Sequence, residues 1–507
     1  MSQTVPRTQP WLWLSGLSAL ALGLRLWGLG RLNSLIFDEI YYVPFALGYL
    51  THTPQFDAHP PLGKYLIALG LWLGQWLADG LHWPMLTVEG QSTSLIGGRA
   101  MNAVVGATIP GLTAMLADGL SHGQIPSRRI RFSLVAATLM TLEGLTLVES
   151  RLALINLYWL WFGLLGQVFW VVAPQKAHPC RWRILAGIAL GSAINVKWNG
   201  AAFWLGLLLW EVVRPQSCLL TAGVGGGGDR APTRWMISGW DGQGDRASTG
   251  WWVGTRRWWL YLGLIPLATY GLLWWPHLAM TGDSFWGIHH QLWQVHQTIG
   301  AGGASHPYCS LWLTWPLMLR PVAYFYQVLS PGTVVAIQAM GNPILWWLST
   351  AAMLALGLIW FSGRRPSWAI AQPKSQLSLE SSLESTAHAT SVDPGSGEAS
   401  FGGTARESSF AVESFLVLNY LAQWLPWLLV SRCTFLYHAL GMVAFSALAL
   451  AWLMSGWLGH RRRSHRMMAW AMLGLIVLGF LFWLPLFVGW PISPDALQRR
   501  WWLPTWI

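Results

Sequence analysis

The chain has 507 residues, of which 53% are hydrophobic and 10% charged, with 39 Trp and a formal net charge of +11. A water-soluble domain carries about 25% charged residues, so the composition excludes an ordinary soluble enzyme. Four of the basic residues are Lys, and the Arg residues stand in short clusters between apolar runs. That is a positive-inside pattern rather than a nucleic-acid surface, and nucleic acid is not an expected partner.

The apolar runs are continuous and approach the roughly 20 residues that cross a bilayer as a helix, unlike the alternation of a β-barrel. Residues 11–29 form the first predicted span, retained because no small-residue cleavage site ends it. Residues 31–94 form a large loop holding IFDEIYY (36–42) and AHPPLGKYLIALG (58–70). Pro60 and Pro61 end any helix before them, and the stretch after Lys64 reads as an interfacial helix. The second span covers 95–117. Residues 132–173 predict two spans turning at Glu149, Ser150 and Arg151, and 184–213 two short spans hinged at Asn195, Lys197 and Asn199.

The Gly-rich stretch 215–257 reads as a flexible loop. A span over 258–280 follows, then a second large polar loop over 281–340, rich in His and aromatics, and a span over 341–361. The Ser/Glu/Gly-rich residues 364–412 have a disordered composition. Three last spans lie near 413–430, 435–457 and 467–488. With the N-terminus in the cytoplasm, eleven spans put the Arg clusters at 128–131, 181–183, 364–365 and 461–463 inside, together with the Gly-rich loop. The same count puts the IFDEIYY loop, the Glu149 turn, the Lys197 hinge, the 281–340 loop and the C-terminus outside. The expected architecture is therefore an all-α polytopic membrane protein of about 11 transmembrane helices, with a large first external loop carrying interfacial helices. It divides into an N-terminal membrane module (1–361) with external loops 31–94 and 281–340, a flexible cytoplasmic loop (362–412) and a C-terminal membrane module (413–507).

Ionisable residues at membrane depth are costly and tend to be functional. The outer side collects Arg25, Asp38, Glu39, His59, Lys64, Arg99, Glu149, Arg151, Lys197 and Arg432. Together they describe a charged cavity in which Arg and Lys bind phosphate and a carboxylate takes a proton from a hydroxyl. Each has a plainer reading. An Arg or Lys at a helix end reaches for headgroups, Glu149 pairs with Arg151 at a turn, and an acid begins a helix. Neighbouring helical residues also face apart, so Asp38 and Glu39 divide between chemistry and support. Cys180, Cys218, Cys309 and Cys433 are scattered, with no CxxC pair. His289, His290, His296 and His306 are irregularly spaced for zinc. His289, His290 and His306 are read with Tyr308 as the lining of an acceptor groove. No DxD-type motif is present, and no obligatory metal is expected.

The segment LRLWGLGRLNSLIFDEIYYVPFALGYLTHTPQFDAHPPLGKYLIALG resembles the first external loop of the protein O-mannosyltransferases, the dolichyl- or polyprenyl-phosphate-mannose-dependent kind. GRAMNAVVGATIP, LEGLTLVESRLALIN, LGSAINVKWNG, SHPYCSLWLTWPLMLRPVAYFY, GNPILWW and LPWLLVSRCTFLYHALGMVAF are similar to further segments of that family. The short second loop resembles the prokaryotic members, which lack the β-trefoil insertion. One departure is Asn156, where the Ser-Arg segment usually ends in Asp. The resemblance implies a C-type glycosyltransferase fold in the plasma membrane. It implies transfer of mannose, with inversion, from polyprenyl-phosphate-mannose to Ser or Thr of secreted or membrane proteins on the outer face, with no cofactor beyond the lipid-linked donor. It also implies Asp38 as catalytic base, Glu39 as a second functional acid, and Arg25 and Arg99 as required arginines. His59, Lys64, Arg151, Lys197 and Arg432 compete with them for the donor phosphate. Two alternatives stay open: a related lipid-linked sugar transferase acting on a lipid or glycan, and a lipid-sugar transporter, against which the lack of a detectable inverted repeat counts.

Overall fold

The computed structural model describes residues 10–213, 257–298, 306–362 and 396–507. The Gly-rich loop, Arg364, Arg365 and the Ser-rich segment up to residue 395 lie outside the described residues. Five described helices are long and apolar enough to cross a membrane: Leu95–Leu120, Asn156–Gln175, Pro343–Ser362, Leu436–Leu458 and Arg463–Val488. Leu12–Leu26 and Trp198–Val213 are shorter apolar helices. Residues 396–412, expected to be disordered, are helical and continue into the helix Ser396–Trp424.

The first helices are α1 (Pro10–Leu26), α2 (Glu39–Leu50) and α3 (Leu62–Leu81), the last two lying in the first large loop. Helix α3 packs on α4 (Leu95–Leu120) at a glycine contact. A Cβ on Gly97 would collide with the Gly70 carbonyl and the Gly74 Cα, so only glycine permits this approach of two backbones. The span expected over 132–148 is broken into α5 (Pro126–Thr141) and α6 (Gly144–Glu149). The buried Glu143 carboxylate causes the break. It accepts from Leu145 N at 3.0 Å and Thr146 N at 2.6 Å, capping a new helix where the hydropathy runs on without pause.

Helices α7 (Asn156–Val172), α8 (Pro179–Val196) and α9 (Ala201–Val213) follow. The hinge at Lys197 is present as a break between α8 and α9, although α8 runs to 18 residues because Pro179 opens it early. Helix α10 (Ile265–Thr281) leads into α11 (Phe285–Thr298).

Two antiparallel hairpins depart from the all-α expectation. β1 (Leu86–Val88) pairs with β2 (Gln91–Thr93), and β3 (Val322–Ser330) with β4 (Thr333–Ala339). The second turns at Gly332, whose φ of +87° suits glycine. Strand β4 is buried from Val334 onward and is anchored by paired backbone bonds between Val334 and Ile492. At the centre of the molecule stands Leu440–Leu458, buried on every side from Leu440 to Ser455, as a helix apolar all round must be. Its Trp452 meets Phe132 at 5.3 Å and its Phe445 meets Phe203 at 5.8 Å.

Candidate active site

The turn from α1 into α2 carries the two acids. Phe37, just before them, has a left-handed backbone, φ 52°, unusual for a bulky residue. Its ring stacks on Tyr324 of β3 at 3.9 Å, which holds the turn in place. Such an outlier marks a position that the surrounding structure determines.

Glu39 and Asp38 then go separate ways. Glu39 is fully buried. Its Oε1 accepts from Arg99 Nε at 2.8 Å and Ala153 N at 2.8 Å, and its Oε2 from Arg99 Nη2 at 2.6 Å and Ile36 N at 3.0 Å. The rest of the Arg99 guanidinium donates to the carbonyls of Leu29, Leu32 and Ser34. This clasp uses up both side chains and pins the loop 29–36 against α4. Asp38 is half-buried, and its side chain caps no helix and has no described hydrogen bond. Burial pushes its carboxyl up to about 6; Lys197 pulls it down and Asp57 pushes it further up.

The groups acting electrostatically on Asp38 come from segments far apart in the chain. Asp57 is held by Lys64 Nζ at 2.7 Å, and Lys64 also donates to the His59 carbonyl at 2.8 Å. Glu149 accepts from the Tyr324 hydroxyl and from Asn156 Nδ2 at 3.2 Å. Asn156 Oδ1 in turn accepts from Lys197 Nζ at 3.0 Å. An aspartate at position 156 would lack the donor that Asn156 offers Glu149. Lys197 lies 5.4 Å from the Tyr437 ring, and Arg432 faces both. Arg432 is half-buried, and its described hydrogen bond runs only to the next carbonyl, Cys433 O, at 3.4 Å. On the other flank His59 packs 5.9 Å from His296, which meets Trp198 at 5.1 Å. Burial, followed by the nearby Lys197, holds the His59 imidazole well below its usual range, so it is neutral near pH 7.

Electrostatic interactions thus link Asp38, His59, Lys197 and Arg432 in one cluster, with Asp57 and its partner Lys64 beside it, whereas Arg25 and Arg151 have other partners. Arg151 donates to the carbonyls of Leu24, Arg25 and Val488. Arg25 is buried in α1 with Nη1 on the Ala21 carbonyl and Glu143 as its electrostatic counterpart. Neither Arg25 nor Arg151 is among the groups acting on Asp38. His289 bonds the Tyr270 hydroxyl at 2.7 Å, and His290 is exposed. His306 and Tyr308 sit together at the surface, with Arg320 5.6 Å from the Tyr308 ring. Among the described residues no three His, Cys, Asp or Glu side chains come together to hold a metal ion.

Sequence reasoning missed several participants. Tyr324 lies on an unforeseen hairpin, and Tyr437 lies in the quoted segment LPWLLVSRCTFLYHALGMVAF without having been singled out. A disulfide joins Cys309 to Cys433, 124 residues apart, with Cα atoms 5.3 Å apart; two lone cysteines in different loops gave no sign of it. Cys180 is free and exposed, and Cys218 lies outside the described residues.

Residues 15–280 match the family described as dolichyl-phosphate-mannose-protein mannosyltransferase. Residues 281–383 and 400–506 match the C-terminal four-transmembrane region of protein-O-mannosyltransferase. A polyprenol-phosphate-mannose–protein mannosyltransferase of Mycolicibacterium smegmatis is 23% identical over 99% of this chain and 93% of its own length. The mouse protein O-mannosyl-transferase 1 is 30% identical over 40% of this chain and 28% of its own. In fold, the chain resembles the Saccharomyces cerevisiae Pmt1–Pmt2 complex bound to the sugar donor, with a TM-score of 0.69 and 15% identity, over 99% of this chain and 93% of that one.

Proposed function

The chain belongs to the dolichyl-phosphate-mannose-protein mannosyltransferase family, and we propose that it moves mannose in a single displacement in which Asp38 is the base. The activity is transfer of mannose from a polyprenyl-phosphate carrier to protein, as in its mycobacterial relatives. In the proposed step, a Ser or Thr hydroxyl of the acceptor attacks the anomeric carbon while the carbon–oxygen bond to the phosphate breaks on the opposite face. The bonding pair leaves on the phosphate oxygen, and the hydroxyl proton passes to Asp38, so the configuration inverts. Lys197 and Arg432 offset the charge that develops on the departing phosphate. Glu39 acts through Arg99 as a positioning residue, fixing the turn that presents Asp38.

One observation carries this reading. Of the four acids in and behind the cavity, Glu39, Asp57 and Glu149 are bonded to neighbours, whereas Asp38 has no described partner. A base must have a free lone pair for the proton it accepts.

We place the cavity on the outer face, in the eleven-span topology read from the charge pattern. The Asp38 turn, the Lys197 hinge and the Arg432 loop all fall outside in that count, and these segments converge in the fold. The Cys309–Cys433 disulfide supports the same side, because disulfides persist in oxidising compartments.

The test is Asp38→Asn in a membrane assay with labelled polyprenyl-phosphate-mannose and a Ser/Thr-rich peptide. Asn keeps the shape and removes the base, so transfer drops by about 10²–10⁴-fold. Transfer at the wild-type rate would remove Asp38 from this role, and label arriving only in lipid or glycan would favour the related class of lipid-linked transferase.

A further inference from the structure

We infer that the Cys309–Cys433 disulfide is a positioning device that holds Arg432 over the donor phosphate. The inference rests on the reading of Arg432 as a phosphate contact.

The arginines expected at the site differ in how they are held. Arg99 and Arg151 are tied by side-chain bonds to several backbone carbonyls. Among the described residues, the Arg432 side chain bonds only the carbonyl of the residue that follows it. A bond to its own neighbour moves with the loop and anchors nothing. The position of its guanidinium is therefore set by the backbone at 431–434, which links the 3₁₀ turns Leu425–Leu429 and Leu436–Ala439. Among the described residues, that backbone is fastened at residues 309–310. Beside the disulfide, Ser310 N donates to the Thr434 carbonyl at 2.8 Å and Thr434 Oγ1 donates to the Ser310 carbonyl at 2.6 Å. Ser310 is itself fixed from below: its hydroxyl accepts from Trp315 Nε1 at 2.8 Å, and Trp315 packs on Trp427 and His438.

The cystine thus adds a covalent clamp one residue from the cation. The hydrogen bonds between Ser310 and Thr434, both buried, each contribute modestly, whereas the disulfide holds the pair closed whenever those bonds open. The other half-cystine adjoins Tyr308 and His306, so the same clamp ties the second external loop to the phosphate side of the cavity. Arg432 has the geometry of a phosphate ligand, with planar paired donors. Its side chain has rotamer freedom to lose, and a loop fixed in advance lowers the cost of binding.

The experiment uses the full-length protein in lipid nanodiscs, in a Cys180→Ser, Cys218→Ser background, with polyprenyl-phosphate-mannose and a Ser/Thr-rich peptide. Four forms are compared: the disulfide-intact parent, Cys309→Ser with Cys433→Ser, Arg432→Gln, and all three changes together. The expected result is a donor KM raised about tenfold or more by Arg432→Gln, the order of one charge-assisted hydrogen bond. Loss of the disulfide raises the donor KM in the parent and adds nothing to it once Arg432 is Gln, with the peptide KM unchanged in both. If the cysteine pair shifts the donor KM equally with and without Arg432, the disulfide is a general brace and the positioning inference is overturned. If Arg432→Gln raises the donor KM and the cysteine pair does not, the inference is likewise overturned while the phosphate reading stands. If Arg432→Gln leaves the donor KM unchanged, the phosphate reading itself is what has failed. Should the double serine variant not fold, the folded parent is reduced, alkylated at the two freed thiols and assayed against an unreduced control, with the same two backgrounds and the same expectations.

Discussion

Replacing Glu39 by Gln tests whether the adjacent acids have separate jobs. Each Glu39 oxygen accepts two N–H groups, one from Arg99 and one from the backbone of Ile36 or Ala153. Glutamine converts one oxygen to an NH₂ group. In either amide orientation that nitrogen faces two donors, so two hydrogen bonds are lost and replaced by donor–donor contacts. Bonds to a charged group contribute about 1.5–3 kcal/mol each, and breaking a buried ion pair by removing one charge costs about 3–5 kcal/mol. The two routes agree on about 3–5 kcal/mol for Glu39→Gln. Arg99 keeps its three carbonyls, which places the loss toward the lower end. By contrast, Asp38→Asn removes no described bond and relieves the burial of a charge that raises the carboxyl to about 6, so it should leave stability unchanged or raise it. The assay is thermal unfolding of the purified protein in nanodiscs, followed by tryptophan fluorescence. Glu39→Gln lowers the midpoint by several degrees, whereas Asp38→Asn does not lower it while cutting transfer about 10²–10⁴-fold. A Glu39→Gln protein that melts with the wild type would refute the clasp, and with it the division of roles between the two acids.

The Asp38 carboxyl, raised by burial to about 6, must be ionised to accept a proton. kcat/KM therefore rises about tenfold per pH unit up to about pH 6 and then levels off; a flat profile across that range in the wild type would count against Asp38 as the base. Lys197→Met removes a cation facing the leaving phosphate and should lower kcat about 10²–10³-fold, with Lys197→Arg recovering part of it. An unchanged kcat in the methionine variant would place the phosphate elsewhere.

Much of the fold was legible because a bilayer imposes length and apolarity on each span. The spans 95–117, 341–361 and 467–488 correspond closely to Leu95–Leu120, Pro343–Ser362 and Arg463–Val488. The hinge at Lys197 was legible too, since a charge within an apolar run must sit where the helix breaks or a cavity opens. The break at Glu143 was not. A single carboxylate in an apolar run looks like a tolerated residue until its two backbone donors are seen. The hairpin of residues 322–339 was hidden among aromatics whose alternation is short.

For the site, the sequence alone determined the inventory. A scarcity of charge made every ionisable residue conspicuous, and the acidic pair with its cations pointed to a phosphate-binding site that could deprotonate a hydroxyl. Only the tertiary structure decided what each charge does. Whether an arginine is free to meet a ligand depends on how many carbonyls already surround it, and those carbonyls come from segments remote in the chain. Arg99 meets Glu39 across 60 residues, Tyr324 meets Glu149 across 175, and Cys309 meets Cys433 across 124. Residue type limits what a side chain can do; the partners brought to it by folding decide which of those things it does. In the pair Asp38 and Glu39, the same carboxylate chemistry one residue apart leaves one acid without a described partner and the other enclosed by four donors.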